Sequence, residues 1–142
     1  MQHISIRIIK EEHDSLTAML QSMLMMIRRG PLNEPELIYR TFAPQLAWLR
    51  HEILLVALLD TRLRHAGTVE VSNGSLTETS AHPREILRPV ITRGAYGFVI
   101  IHNHPSGDPS PSRPDEIFTR RLIEATDLLQ LRFFDHLIVG RP

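Results

Sequence analysis

His102 and His104 stand two residues apart at the end of an apolar run, Tyr96 to Ile101. In an extended strand, residues i and i+2 project from one face. The two imidazoles would then sit about a side chain's width apart, a chelating geometry for a divalent metal. On its own an H-x-H pair is more often a surface accident than a site. The next element strengthens it. Ser112-x-x-Asp115 opens a helix after a loop, PSGDPSPSRP, in which four of ten positions are proline. A loop that stiff can bring the helix start back over the strand end and present a carboxylate to the imidazoles. Ser followed three residues later by an acid also matches a helix capping box, which needs no metal. The two readings are compatible, since Ser112 can cap while Asp115 points at the metal. The chain has no cysteine. Disulfides and thiolate sites are therefore excluded, and any zinc must be held by imidazole and carboxylate. A zinc deaminase, with its H-x-E and P-C-x-x-C signatures, is excluded on the same ground.

The elements that must position these residues can be read from periodicity. Residues 11–29 carry Leu16, Met19, Leu20, Met23, Leu24 and Ile27 at helical spacing, and Gly30-Pro31 ends the pattern. The Met-rich stripe reads as core or homodimer packing before it reads as a face for another partner. A second helix is expected from about Pro35 to Arg50, with Asn33 as a cap, and Pro44 should break or kink it. Ile53 to Leu59 is a continuous apolar run, the look of a strand covered on both faces. Arg62 to Ser72 should pair with it as a hairpin about Asp60-Thr61-Arg62, and Asn73-Gly74 is a turn signal. Pro83 can open a helix reaching Gly94, weakened by Pro89. Tyr96 to Ile101 is a buried strand, Pro114 to about Gln130 a helix, and Leu131 to Val139 a closing strand. This order predicts an α/β fold, an α/β/α layered single domain with a mixed sheet. The expected division is an N-terminal helical segment, residues 1–34, and a domain spanning residues 35–142.

Bulk properties narrow the partners. The 142 residues suffice for one core, and 42% hydrophobic with 23% charged residues is an ordinary globular composition. Lys plus Arg and Asp plus Glu each total 16, so the net charge is zero. No strong nucleic-acid binding is expected without a basic excess. The N-terminus carries acids where a signal peptide would be apolar, and the longest apolar run is far short of a membrane span. A cytoplasmic protein without membrane contact is the expectation.

The string HNHPSGDPSPSRPD, His102 to Asp115, resembles the signature of the JAB/MPN/JAMM metallopeptidases, and within them the bacterial RadC-like domains. HPREI at 82–86, TRRLIEA at 119–125, DHLIVG at 135–140 and the Glu-led HEILLVALLD are similar to that family's text as well. The resemblance runs over about residues 35–140. It implies a JAB/MPN, cytidine-deaminase-like architecture and Zn2+ on His102, His104 and Asp115. Such a ligand set leaves a fourth position for a water, as in catalytic zinc sites. It further implies Glu52 as the base that activates this water and Ser112 as a donor to the oxyanion. Read from the residues alone, Glu52 is an acid at the mouth of a buried strand, which solvation would equally explain. The activity implied is zinc-dependent hydrolysis of a peptide or isopeptide-linked protein substrate. The alternative is a non-catalytic accessory protein of DNA repair or mobile elements, acting through partner binding.

Other positions carry less. Asp135 and His136 read as core-edge residues or as supports that orient a metal ligand. Arg84 reads equally as a substrate contact or a helix-start charge, and Asp108 as a hydrogen-bonder within its loop. His3, His13, His51 and His65 read as surface or strand-end residues. Longer RadC-like proteins carry a helix-hairpin-helix region, whose tight turns need glycine. Gly30 is the only glycine before Gly67, so DNA contact is not expected here. Pro114 falls in the first helical turn, where proline is tolerated. The chain stops at Pro142, soon after DHLIVG, where relatives usually continue, and an open sheet edge or site is expected there.

Overall fold

The two longest apolar runs become the centre of a sheet. The computed structural model describes residues 6–8, 20, 31–73 and 82–141. In chain order these form β1 (Ile6–Ile8), α1 (Pro35–Leu46), β2 (Ile53–Leu59), β3 (His65–Asn73), α2 (Pro83–Thr92), β4 (Gly97–Asn103), α3 (Arg113–Leu129) and β5 (Arg132–Val139). The five strands lie in the order β1-β5-β4-β2-β3. β2 runs antiparallel to β3 and β4, whereas β4 pairs with β5, and β5 with β1, in parallel. The sheet is thus mixed, as the pattern of elements predicts. Most of the expected amphipathic helix at 11–29, and the Asn73-Gly74 turn, lie outside the described residues. So does any dimer face on that helix.

Each face of the sheet has its own apolar layer. On one side α1 places Ile38, Phe42 and Leu46 against Ala57, Leu59, Val99, Ile101, Leu137 and Val139. On the other, Ile86, Leu87 and Val90 of α2 and Phe118 and Leu122 of α3 meet Leu54, Val56, Leu58, Phe98, Ile100 and Phe133. This is an α/β/α sandwich. Burial of each such large side chain contributes about 1.5–3 kcal/mol against exposure. No described helix is long and apolar enough to cross a membrane.

Three details differ from expectation. Pro44 lies inside α1, and the helix ends at Leu46, short of Arg50. A proline this close to a helix end removes a single N–H donor and is followed by termination within a turn. The stretch Ile6–Ile8 was given no strand by its pattern, yet it pairs with His136, Leu137 and Ile138 of β5. Because β1 covers β5, the sheet edge expected to stand open beside DHLIVG is filled.

The third detail concerns register. Phe98 faces Phe133, but the next residue, Val99, faces Asp135 and Ile100 faces His136. β5 therefore carries one extra residue, Phe134, opposite β4. Such a bulge reverses the facing of every residue beyond it. Phe133 packs against α2 and α3, whereas Leu137 and Val139, an even number of residues on, pack against α1. The same reversal turns His136 onto the α3 side.

Candidate metal centre

The site forms where β4 ends. β4 alternates strictly, so Phe98, Ile100 and His102 share one face, and His104 follows one residue beyond the strand. The chain then turns through Pro105–Pro111 and enters α3 with Ser112 as N-cap. The loop is held from two sides. Gly107 adopts φ +88°, and a Cβ on Gly140 would lie 2.5 Å from the Gly107 carbonyl oxygen, so the chain after β5 passes too close for a side chain there. Arg141 donates its backbone N–H to Gly107 O at 3.0 Å and its Nε–H to Ala47 O at 3.3 Å. Within the loop, Asp108 accepts from the Ser110 amide at 2.9 Å, as expected of a loop hydrogen-bonder.

These constraints bring Glu52, His102, His104 and Asp115 together, with one ligand-type atom of each lying within 4.8 Å of the others. His102 Nε2 and His104 Nε2 are 3.0 Å apart. Asp115 sends Oδ1 to within 3.2 Å of His102 Nε2 and Oδ2 to within 3.2 Å of His104 Nε2. Around a tetrahedral zinc with bonds of about 2.0–2.1 Å, neighbouring ligand atoms stand about 3.3 Å apart. The three short edges match that spacing, so the residues present fit a metal ion. Glu52 stands farther off, Oε1 lying 3.9 Å from His102 Nε2 with its side chain 15% exposed.

Capping and convergence coexist. Ser112 Oγ accepts from the Asp115 amide at 3.2 Å, and the Ser112 amide donates to Asp115 Oδ2 at 2.7 Å, a complete capping box. The carboxylate is thereby fixed by its own helix start while it faces both imidazoles. Ser112 itself stays exposed at the rim.

Charge follows from this arrangement. Burial alone would raise the Asp115 carboxyl, but the imidazoles of His102 and His104 beside it hold it well below the usual carboxylate range. The same carboxylate raises His104 above the ordinary imidazole value, against the opposing effect of burial. His104 Nδ1–H donates to the Asp108 carbonyl at 2.8 Å, since a carbonyl can only accept. Nε2 is then the nitrogen left to face the cluster.

Asn103 and Thr119 contribute to the site without having been legible as such. Asn103 points away from the imidazoles and is 1% exposed. Its Oδ1 accepts from the Ile53 amide at 2.8 Å and its Nδ2–H donates to the His51 carbonyl at 3.0 Å. It thus grips the chain on both sides of Glu52. The only sequence hint was its place inside H-x-H. His136, fully buried, sets Nε2 2.7 Å from His102 Nδ1 and Nδ1 2.6 Å from Thr119 Oγ1, the supporting position anticipated for it. Burial pushes the His136 imidazole well below its ordinary value. Asp135 takes no part in the cluster; its Oδ1 accepts from the His136 amide at 2.9 Å. Arg84 lies exposed at the start of α2, its Nε–H donating to Glu85 at 3.3 Å. His65 is half-buried at the start of β3 beside Thr68, and His51 is exposed.

Comparison with known proteins agrees with this geometry. The family model described as the RadC-like JAB domain matches residues 32–142. The UPF0758 protein of Geobacter sulfurreducens is 37% identical over 125 residues, covering 88% of this chain and 55% of the relative. The UPF0758 protein of Trichlorobacter lovleyi is 43% identical over 106 residues, 75% of this chain and 46% of the relative. That of Symbiobacterium thermophilum is 40% identical over 115 residues, 81% and 49% respectively. The chain spans about half the length of the curated relatives it matches. With the signature string, the sandwich fold and the four converging side chains in agreement, the chain belongs to the RadC-like JAB domain family.

Proposed function

We propose that this domain is a zinc-dependent hydrolase of amide bonds, of the peptidase or isopeptidase type. The observation that carries the reading is the division of labour among four side chains. Three bring donor atoms to 3.0–3.2 Å of one another, and the fourth, Glu52, is an acid held just outside them. A structural zinc site is closed by four protein ligands, whereas a hydrolytic one keeps a position open. Two imidazoles and one carboxylate, with no thiolate, form a ligand set of the kind that catalytic zinc sites use.

Zinc bound there would lower the pKa of a coordinated water to about 7 and polarise the substrate carbonyl. The remaining steps belong to the chain. Glu52 accepts the water's proton and returns it to the leaving amine, the work of a carboxylate beside the metal ligands rather than among them. Asn103, by holding His51 and Ile53, keeps that carboxylate at the entrance of the site. Ser112 uses its oxygen lone pair for the Asp115 amide, which leaves its O–H to donate to the developing oxyanion. Zero net charge suits a peptide or isopeptide-linked protein better than a nucleic acid as substrate.

The test is direct. The full chain should bind one zinc, His104→Ala should bind none, and the zinc-loaded protein should cleave at least one of a panel of peptide, isopeptide and simple amide substrates. Wild-type zinc content in His104→Ala would remove the metal assignment. A fully zinc-loaded protein inert across the panel would remove the hydrolase reading.

A further inference from the structure

We infer that His136 and Thr119 are positioning residues that lock His102 in its metal-binding tautomer and tie that ligand to the backbone of Asp115. The inference rests on the metal reading above and deepens it. It follows from counting protons along one chain of short contacts, starting from its far end.

Thr119 Oγ1 lies 2.7 Å from the backbone carbonyl of Asp115, one turn back along α3. Two oxygens this close need a proton between them, and a carbonyl has none to give, so the Thr119 hydroxyl donates. That hydroxyl has no second proton. Its other neighbour, His136 Nδ1 at 2.6 Å, must therefore carry the hydrogen and donate to Oγ1. His136 is fully enclosed, and among the described residues its two ring nitrogens meet only Thr119 Oγ1 and His102 Nδ1, so a neutral ring with one N–H is the form the site accommodates. Its Nε2 is then bare and accepts, which places the proton of the 2.7 Å contact on His102 Nδ1. His102 Nε2 is left with its lone pair aimed at His104 and Asp115.

The direction of the whole chain is thus set by a helical carbonyl three links from the metal position. It runs His102 Nδ1–H to His136, His136 Nδ1–H to Thr119, and Thr119 O–H to the residue that supplies the carboxylate ligand. Histidine ligands commonly donate their second N–H to a carboxylate, a carbonyl or water. Here the acceptor is a second histidine, and it closes a loop between two ligands that belong to different elements, β4 and α3. Removing the Thr119 hydroxyl frees His136 to carry its proton on Nε2. His102 must then take its own proton on the nitrogen that faces the metal.

The experiment measures zinc affinity by competition with a chromophoric chelator, using the full chain and its Thr119→Val and Thr119→Ser variants at one pH. Valine keeps the shape and removes the hydroxyl; serine keeps the hydroxyl. The expected result is zinc binding weakened about 10–100-fold in Thr119→Val and restored in Thr119→Ser. A Thr119→Val variant that binds zinc like the wild type overturns the inference and leaves the metal assignment intact. A wild-type chain that binds no zinc overturns both. Independently of any variant, long-range ¹H–¹⁵N spectra of the zinc-loaded wild type should show His102 and His136 each protonated on Nδ1. Protonation of His136 on Nε2 would reverse the chain and refute it, even if Thr119→Val fails to fold.

Discussion

The two faces of the sheet use burial differently. The α1 face is mostly apolar, with Ala57, Leu59, Val99, Ile101, Leu137 and Val139 all fully buried under Phe42, and with Asn103 and Asp135 as buried polar groups on the same side. The α2 and α3 face begins the same way, with Phe98 stacked on Phe133 at 5.1 Å, but ends in His102, His136, Thr119 and Asp115. An apolar layer tolerates substitution in proportion to the volume lost. A buried polar cluster tolerates little, because each group is satisfied by the next and removing one strands its partner. Among the described residues no buried side-chain polar atom lacks a hydrogen-bond partner. The comparison separates a mostly apolar face from a corner of buried polar groups that could hold a metal ion.

The largest expected effect tests whether that corner is chemical at all. Glu52→Gln keeps the size of the side chain and removes the base. It should lower hydrolysis by about 10²–10⁴-fold while zinc content and thermal stability stay at wild-type values. Zinc lost together with stability would make Glu52 a fourth ligand and the corner a structural one.

Phe42→Ala attacks the other face. It should cost about 3–5 kcal/mol of stability, measured by denaturant unfolding, with one zinc per chain still bound where the protein remains folded. Loss of zinc from the folded variant would break the separation of the two faces.

A pH titration sharpens the same contrast within the corner. The Asp115 carboxylate raises His104 above its ordinary value of 6.5, so a proton competes with the metal for Nε2 until the pH exceeds that raised value. Below it the protonated form prevails and zinc is displaced; above it the competition ends. Apparent zinc affinity should therefore keep rising past the ordinary value, by about tenfold per pH unit for one proton released, and then flatten. An affinity that levels off below the ordinary value would mean His104 is not a ligand.

The smallest effect should come from Ile101→Val, a single methylene on the apolar face, at about 0.5–1.5 kcal/mol. Chelator competition should detect no change in zinc affinity, although Ile101 directly precedes His102. A measurable weakening would show the faces to be coupled through β4 itself.

Legibility in the sequence followed distance along the chain. His102, His104, Ser112 and Asp115 fall within one strand end, loop and helix start, so a single contiguous string exposed their spacing and its chemistry. β2 and β4 were legible because strands covered on both faces have no polar alternation to blur. Glu52 was identified by resemblance, since nothing local distinguishes it from a solvated acid; the grip of Asn103 on its neighbours emerges only once β2 and β4 are paired. The chain from His102 through His136 to Thr119 depends on the parallel pairing of β4 with β5, a contact between residues 34 apart in sequence. β1 is three residues long and gains its identity from β5, more than a hundred positions away. Register of that kind is set by the assembled sheet and leaves no local trace.

The supernumerary residue in β5 has a consequence for how this domain tolerates changes in length. Strands usually absorb a one-residue deletion by sliding, at the cost of exchanging their two faces. Removal of Phe134 would let Phe133 and its successors pair with β4 in unbroken alternation, a more regular ladder than the native one. Asp135 would still face Val99 and His136 would still face Ile100, so each would keep its native side of the sheet. A deletion scan along Arg132–Val139 should therefore find that removal of Phe134 leaves both the sheet and metal binding in place. At that position the in-frame loss of a single codon would spare both the fold and the metal site, because the bulge holds a residue in reserve.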